Sequence, residues 1–242
     1  MAEILLKDKV SEIQTVSGVK GYDLKGKDEY GKDIFVVIKT IDHVGEDIPI
    51  KNYSRNQLSR KIAYLPQKLN NNLNISVKDL ISLGRSPYKN FWNFDLNEED
   101  LKIIDEAIQI MDLNELKNKL INELSGGQSQ RAFLAMTIAQ NTNILLLDEP
   151  TTFLDINYQI KFLESLKNLI QIKKLSIITV LHDINLAARF CDRIAILKDG
   201  KLIDINTPEK VLNQENLNRG FEIDSHIIDT PFGIQIFPVS KT

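Results

Sequence analysis

Residues 124–131, Leu-Ser-Gly-Gly-Gln-Ser-Gln-Arg, form one of the two stretches that decide the fold of this 242-residue chain. Ser125 can cap a helix there, because its hydroxyl is able to accept a hydrogen bond from an N–H group of the first turn. Gly126 and Gly127 then leave N–H groups uncovered at the positive end of the helix dipole. A helix that begins in this way can bind an anion, and phosphate is the obvious candidate.

The other stretch is residues 144–150, Ile-Leu-Leu-Leu-Asp-Glu-Pro, in which four apolar residues precede two carboxylates. A short apolar run of this kind is typical of a buried parallel strand. Ligands of open α/β sheets bind at the carboxyl ends of such strands, where Asp148 and Glu149 would lie. One carboxylate can hold Mg²⁺ while the other polarises a water molecule for attack on a γ-phosphate.

At these stretches the sequence resembles the ATP-binding-cassette (ABC) ATPases. Residues 124–128 are similar to the signature motif of that family, and residues 144–150 are similar to its Walker B strand. Gln67, which follows a predicted strand over 62–66, resembles the Q-loop glutamine. Residues 83–88, Leu-Gly-Arg-Ser-Pro-Tyr, resemble a string in the ABC subunits of iron–siderophore, haem and cobalamin importers.

Further matches to the family follow the Walker B strand. Asp155 stands in the position of the D-loop aspartate, and His182, directly after a predicted strand over 175–181, resembles the switch histidine. The resemblance implies that Glu149 is the general base and that His182 contacts the γ-phosphate and holds the attacking water. It also implies that Asp155 links the two nucleotide sites of a dimer.

The resemblance implies ATP and Mg²⁺ as cofactors. Asp148 would hold the metal through water, and the amide of Gln67 would touch the metal or the attacking water. In the family, the signature motif binds ATP that is held by the phosphate loop of a second subunit. The residues implied in that contact are Ser125, Gly126, Gly127 and Gln128.

A member of the family should also carry its own phosphate loop, G-x-x-x-x-G-K-[ST]. The nearest match is residues 21–28, with Gly21, Gly26 and Lys27 in the required positions and a separation from Gln67 that resembles the family spacing. Asp28 stands where a Ser or Thr hydroxyl would face Mg²⁺, so its carboxylate would bring negative charge close to the phosphates. The stretch is therefore open to two interpretations, a working or degenerate phosphate loop and a lysine-rich hairpin turn.

The fold that the resemblance implies is α/β. It is the ABC ATPase fold, a P-loop NTPase-like core sheet with an inserted helical subdomain and an N-terminal antiparallel β region. Residues 1–242 would form a single domain, with an atypical β region over 1–50 and the helical subdomain over 70–125. In the β region, residues 34–38 are apolar and largely β-branched, which predicts a strand.

Local patterns add predictions of secondary structure. Apolar residues at helical spacing predict helices over 97–111 and 113–120. A further helix would begin after Ser76 and end at Gly84. The Asp-Gly pair within residues 192–205 separates two apolar runs, which favours a β-hairpin.

Composition excludes several classes of protein. The net charge of −3 and a pI near 5.7 give no general reason for binding nucleic acid or anionic lipid. With one cysteine, Cys191, the chain has no internal disulfide. We expect neither a signal peptide nor a membrane span, because no apolar run is long enough. The expectation is a cytoplasmic chain that reaches the membrane only through partners.

The function that follows is ATP binding and hydrolysis in an ABC importer, for iron–siderophore, haem or cobalamin-type complexes. The chain would pair with a second copy or another ABC subunit and act on transmembrane permease subunits from the cytoplasmic face of the membrane. Two alternatives remain open. One is a catalytically impaired subunit that lacks a standard phosphate loop, and the other is a soluble ABC protein without a transport role.

Overall fold

The structure, a computed structural model, describes residues 35–39, 53–89, 94–152, 154–199 and 201–239. The chain divides into two compact units, a central unit over residues 41–178 and a terminal unit over residues 1–40 and 179–242. The central unit contains α1 (Arg55–Ser59), β2 (Ile62–Leu65), α2 (Val77–Ser82), a 3₁₀ helix (Leu83–Tyr88), α3 (Glu98–Ile110), 3₁₀ turns (Asn114–Leu116 and Ile121–Glu123), α4 (Gly126–Ala139), β3 (Ile144–Leu147) and α5 (Ile156–Lys173).

Strands β2 and β3 of the central unit run parallel. Their register pairs Ile62 with Ile144 and Leu65 with Leu147. The N–H group of Asp148 donates to the Leu65 carbonyl at 2.9 Å, which extends the pairing by one residue beyond β3. Because parallel strands end at the same edge, the polar residues that follow β2 and β3 leave the sheet side by side. The apolar run before the carboxylates is therefore a parallel strand, as predicted.

Helices α2, α3 and α4 pack against one another between the two strands in the sequence. Their apolar stripes meet in a core of side chains that are at most 1% exposed, namely Leu80, Ile81, Ile104, Ile108 and Leu134. Helix α3 confirms the helix predicted over 97–111. It begins with a capping box in which Asn97 and Asp100 exchange main-chain and side-chain hydrogen bonds of 2.8 and 3.0 Å.

A buried ion cluster ties the 3₁₀ helix to α3. Arg85 and Asp100 are 5% and 3% exposed, and the Arg85 Nε lies 2.8 Å from the Asp100 Oδ1. Lys89 binds the other carboxylate oxygen of Asp100, and Arg85 also donates to the Ala139 carbonyl of α4 at 3.0 Å. Burial by itself would raise the pKa of the Asp100 carboxyl, but the hydrogen bonds from Lys89, Arg85 and the Asn97 N–H outweigh it and lower that pKa to about 2.

The helix predicted between Ser76 and Gly84 is confirmed as α2, which Ser76 caps and which ends at Ser82, but Gly84 has a further role. It lies buried within the 3₁₀ helix that continues α2. A Cβ atom at this position would lie 2.2 Å from the Met136 carbonyl oxygen and 3.1 Å from the Ala139 Cβ, both on α4. The absence of a side chain at Gly84 is what allows the 3₁₀ helix to approach the backbone of α4 so closely.

We expect Gly84→Ala to destabilise the protein by about 1–3 kcal/mol, because the added methyl group overpacks this contact. Urea unfolding of the purified variant measures the change. Gly126→Ala is the control, since a Cβ there would meet no atom within 4 Å. Equal stability of Gly84→Ala and wild type would show that α4 can retreat from the 3₁₀ helix at no cost.

The helix predicted over 113–120 is wrong. The chain forms a 3₁₀ turn over Asn114–Leu116, and the carbonyls of Lys117 and Lys119 accept hydrogen bonds from the first N–H groups of α2, at Lys78 and Val77, both at 2.9 Å. Within the segment, the N–H groups of Leu116 and Lys119 donate to the carbonyls three residues earlier, at Leu113 and Leu116, both at 2.9 Å. This is the spacing of 3₁₀ turns and not of an α-helix.

The terminal unit is built mainly of antiparallel strands. Its elements are β1 (Phe35–Lys39), α6 (Ile184–Phe190), β5 (Arg193–Lys198), β6 (Lys201–Asn206), α7 (Pro208–Val211), α8 (Gln214–Phe221), β7 (Asp224–Thr230) and β8 (Gly233–Val239), and β4 (Ser176–Leu181) runs into it from the central unit. Strand β5 pairs antiparallel with both β1 and β6, and β7 pairs with β8. Asp199 has a φ of 52°, as expected at the predicted hairpin turn.

Strand β1 confirms the strand predicted over 34–38, shifted by one residue. Helix α8, which is capped by Asn213, was not predicted from the sequence. None of the helices in the described part of the chain has the length and apolar character needed to cross a membrane.

Candidate functional site

The acidic pair lies directly after β3, where the strand ends. Glu149 is only 6% exposed, and its backbone φ of 47° lies in the left-handed region that non-glycine residues rarely adopt. This conformation turns the chain sharply away from the strand at Glu149. Strained residues of this kind persist only where the surrounding structure holds them, and they are common at functional sites.

Two side chains hold the Glu149 carboxylate. The Gln67 amide Nε2 donates to the Glu149 Oε2, and the Thr152 hydroxyl donates to the same oxygen at 3.1 Å. Gln67 comes from the loop after β2, 82 residues away in the sequence. The parallel register of β2 and β3 therefore brings together the two residues that the sequence analysis assigned to the general base and the Q-loop.

Tyr64 holds the Asp148 carboxylate. Its hydroxyl donates to the Asp148 Oδ2 at 2.9 Å. Burial of the phenol, together with the charge and the hydrogen bond of Asp148, raises the pKa of Tyr64 well above its usual value of 10, so the hydroxyl remains a donor at neutral pH. Tyr64 was not among the site residues predicted from the sequence. A polar hydroxyl in the short apolar strand β2 was the available signal.

The signature residues form the start of α4 as predicted. The Ser125 hydroxyl accepts a hydrogen bond from the Gln128 N–H at 3.3 Å, and the Ser125 N–H donates to the Gln128 side-chain Oε1 at 3.1 Å. A Cβ on Gly126 would meet open space, whereas one on Gly127 would lie 3.3 Å from the Leu154 Cδ2. The first turn of α4 thus exposes its backbone at Gly126 while Gly127 packs close to the segment after the acidic pair.

Side chains from α4 and α5 anchor the turn that follows Glu149. The buried Gln130 of α4 donates to the Pro150 carbonyl. Gln159 of α5 donates to the Thr151 carbonyl at 3.2 Å and to the Leu154 carbonyl at 3.0 Å. The turn after the acidic pair is therefore hydrogen-bonded both to α4, which begins with the signature residues, and to α5.

Asp155 caps α5. Its side chain accepts a hydrogen bond from the Tyr158 N–H at 3.0 Å. Since capping fully accounts for this hydrogen bond, the role implied for Asp155 in linking two nucleotide sites stays a prediction.

His182 lies in the terminal unit, directly after β4, and is exposed. The next residue, Asp183, caps α6 by accepting from the N–H groups of Asn185 and Leu186 at 2.8 and 2.9 Å. The position of His182 at the carboxyl end of a strand agrees with the sequence analysis. The three residues predicted for the phosphate loop, Gly21, Gly26 and Lys27, lie outside the described residues.

The carboxylate and amide side chains that follow β2 and β3 fit a magnesium–nucleotide complex. Mg²⁺ prefers oxygen ligands and is commonly held by one or two protein carboxylates together with substrate phosphates. Asp148 supplies a carboxylate that Tyr64 already orients, and Gln67, which contacts the adjacent Glu149, supplies an amide. Glu149 supplies a second carboxylate, which Gln67 and Thr152 hold.

Comparisons with known proteins agree on one family. The family model described as ABC transporter matches residues 38–152. The petrobactin import ATP-binding protein FpuC of Bacillus anthracis is 46% identical over 169 residues, which make up 69% of this chain but only 62% of FpuC, less than two thirds of its length. The achromobactin transport ATP-binding protein CbrD of Dickeya dadantii (strain 3937) is 38% identical over 188 residues, 78% of this chain and 69% of CbrD.

Solved structures of an ABC transporter cassette also match this chain. The dimeric bacterial ABC transporter cassette MJ0796 is 29% identical, with a TM-score of 0.56 over 68% of this chain and 72% of the cassette. The structure of the same cassette as a dimer in a post-hydrolysis state, bound to ADP and Pi, matches with a TM-score of 0.55.

Proposed function

The chain belongs to the ABC transporter family of ATP-binding proteins, and from this membership we propose that it is the ATP-hydrolysing subunit of an importer. The cargo class that we propose is an iron–siderophore, haem or cobalamin-type complex. Support comes from relatives such as FpuC and CbrD, which are a petrobactin import protein and an achromobactin transport protein. Residues 83–88 resemble the same branch of the family.

One observation carries the proposal of hydrolysis. Adjacent carboxylates end a buried parallel strand, and a separate group holds each of them: Tyr64 binds Asp148, while Gln67 and Thr152 bind Glu149. Two neighbouring acids with different partners are suited to different tasks, because one can serve a cation while the other receives a proton.

The proposed roles follow from these positions. Mg²⁺, when bound with ATP, would neutralise charge on the phosphates, and Asp148 and Gln67 would hold it. Glu149 would accept the proton of the attacking water. We assign His182 to the γ-phosphate and to the position of that water, as the resemblance to the switch histidine implies.

We propose that two subunits close around two ATP molecules, as a homodimer or with another ABC subunit. The start of α4 would then contact ATP bound to the partner. Its open backbone at Gly126 and the positive end of its helix dipole support this contact. A C₂ pair would place each signature motif on the nucleotide of the other copy, with Asp155 linking the sites.

The domain organisation belongs to the same proposal. Residues 1–242 would form a single ABC ATPase domain with a helical subdomain over 70–125 and an N-terminal β region over 1–50. Permease subunits would hold it at the cytoplasmic face of the membrane.

Lys27→Ala tests the phosphate loop. We expect the Kd for ATP to rise about 10- to 100-fold, because the lysine would lose a charge-assisted contact with the β- and γ-phosphates. Isothermal titration with ATP measures the change, and Lys25→Ala is the matched control two residues away. Unchanged binding by Lys27→Ala would assign residues 21–28 to a hairpin turn instead.

Turnover and co-purification test the function itself. The purified chain should hydrolyse ATP in the presence of Mg²⁺ and should co-purify from membranes with a permease. ATP binding without hydrolysis would identify an impaired subunit. Hydrolysis without any membrane partner would favour the soluble alternative.

A further inference from the structure

We propose that Thr152 is a positioning residue for the general base, and that its hydroxyl sets the orientation of the Glu149 carboxylate for ATP hydrolysis. The inference rests on the proposed hydrolytic function. Thr152 lies outside the residues for which the sequence resemblance implied a role.

Hydrogen bonds between Glu149 and Thr152 close the four-residue turn that these two residues begin and end. The Thr152 N–H donates to the Glu149 carbonyl at 3.3 Å, while the Thr152 hydroxyl donates to the Glu149 Oε2 at 3.1 Å. The same residue therefore binds Glu149 through both main chain and side chain. With φ of Glu149 in the left-handed region, the hydroxyl reaches back to a side chain three residues earlier.

The turn itself is fixed from outside. Gln130 holds the Pro150 carbonyl, and Gln159 holds the Thr151 carbonyl. Pro150 also restricts its own φ. The Thr152 hydroxyl is thus held on a rigid support, which is what a group needs in order to orient a neighbouring catalytic side chain.

Gln67 and Thr152 bind the same oxygen but differ in how they are connected to it. Gln67 reaches Glu149 from the loop after β2, so its contact depends on the position of another segment. Thr152 belongs to the same four-residue turn as Glu149 and moves with it. The Thr152 hydroxyl can therefore keep its hydrogen bond to Glu149 when the Q-loop moves, for example when Gln67 turns to bind Mg²⁺.

The role requires a hydroxyl group and not the shape of threonine, so Thr152→Val and Thr152→Ser distinguish it from packing. Valine keeps the branched shape and removes the donor, whereas serine keeps the donor. Thr152 is exposed, so neither change is expected to alter the unfolding free energy appreciably.

We expect Thr152→Val to lower kcat for ATP hydrolysis about tenfold and to leave KM unchanged, because a misoriented base slows the chemical step without weakening substrate binding. Thr152→Ser should restore kcat to within about twofold of wild type. Thr207→Val is the matched control, since it makes the same chemical change at an exposed threonine outside the turn, whose side chain makes no capping hydrogen bond. In a Glu149→Gln background, Thr152→Val should cause no further loss of turnover, because the base is already absent.

Two outcomes would overturn the inference while leaving the proposed function intact. One is wild-type kcat in Thr152→Val, and the other is an additional loss when Thr152→Val is combined with Glu149→Gln. Failure of the wild-type protein to hydrolyse ATP would refute the proposed function and the role of Thr152 together.

Discussion

Glu149→Gln is expected to reduce ATP turnover about a thousandfold while ATP binding is retained. The amide has nearly the shape of the carboxylate, and its oxygen can still accept the hydrogen bonds of Gln67 and Thr152 that hold Glu149. What the variant loses is the capacity to take a proton from the attacking water. Single-turnover assays measure hydrolysis, and isothermal titration measures the Kd for ATP.

The control for this variant is Glu164→Gln, which makes the same chemical change at an exposed position on α5. It should hydrolyse ATP at the wild-type rate. Turnover of Glu149→Gln within about threefold of wild type would reject Glu149 as general base. A parallel loss of ATP binding would instead indicate that the change disturbs the turn after β3.

Asp100→Ala is expected to lower the unfolding free energy by about 3–5 kcal/mol, because it leaves the charges of Arg85 and Lys89 buried without their partner. Urea unfolding at neutral pH measures this change. Glu106→Ala is the control on the same helix, since Glu106 pairs with Lys173 at a half-exposed site and should cost at most about 1 kcal/mol. Equal effects of the two substitutions would show that the buried cluster contributes no more than a surface pair.

The same carboxylate predicts a pH dependence. The folded state lowers the pKa of Asp100 to about 2, below its usual 3.8, so its contribution to stability is fully present above about pH 4 and is lost as the pH falls towards 2. Asp100→Asn should therefore flatten this part of the stability profile of the wild type. Unfolding curves recorded from pH 5 to pH 2 test it, and an unchanged slope in the variant would contradict the assignment.

Much of the fold and of the candidate site could be predicted from the sequence, because the residues that form each feature are close together in the chain. The apolar run of β3 followed by Asp148 and Glu149, and the Ser125 cap of α4, each depend on neighbouring residues alone. The comparisons confirm the family and its α/β fold. The roles of the site residues, the phosphate loop among them, stay predictions.

Local patterns were less informative about contacts between distant segments. The apolar spacing over 113–120 predicts a helix, whereas the chain forms 3₁₀-type turns there and its Lys117 and Lys119 carbonyls pair with the start of α2. Gly84 follows the end of α2 as predicted, but the local pattern gives no indication of its close contact with α4. In both cases the neighbouring residues in the sequence give no indication of the distant segment that is contacted.

The sequence by itself determined the kind of chemistry available, namely a helix start suited to phosphate and two acids at the end of a strand. Only the tertiary structure decided which groups hold those acids. Tyr64 and Asp148 are 84 residues apart in the chain, and they meet because β2 and β3 pair in parallel register. Helix and strand patterns depend on residues a few positions apart, whereas the partner of a buried polar group is chosen by packing between segments that are remote in sequence.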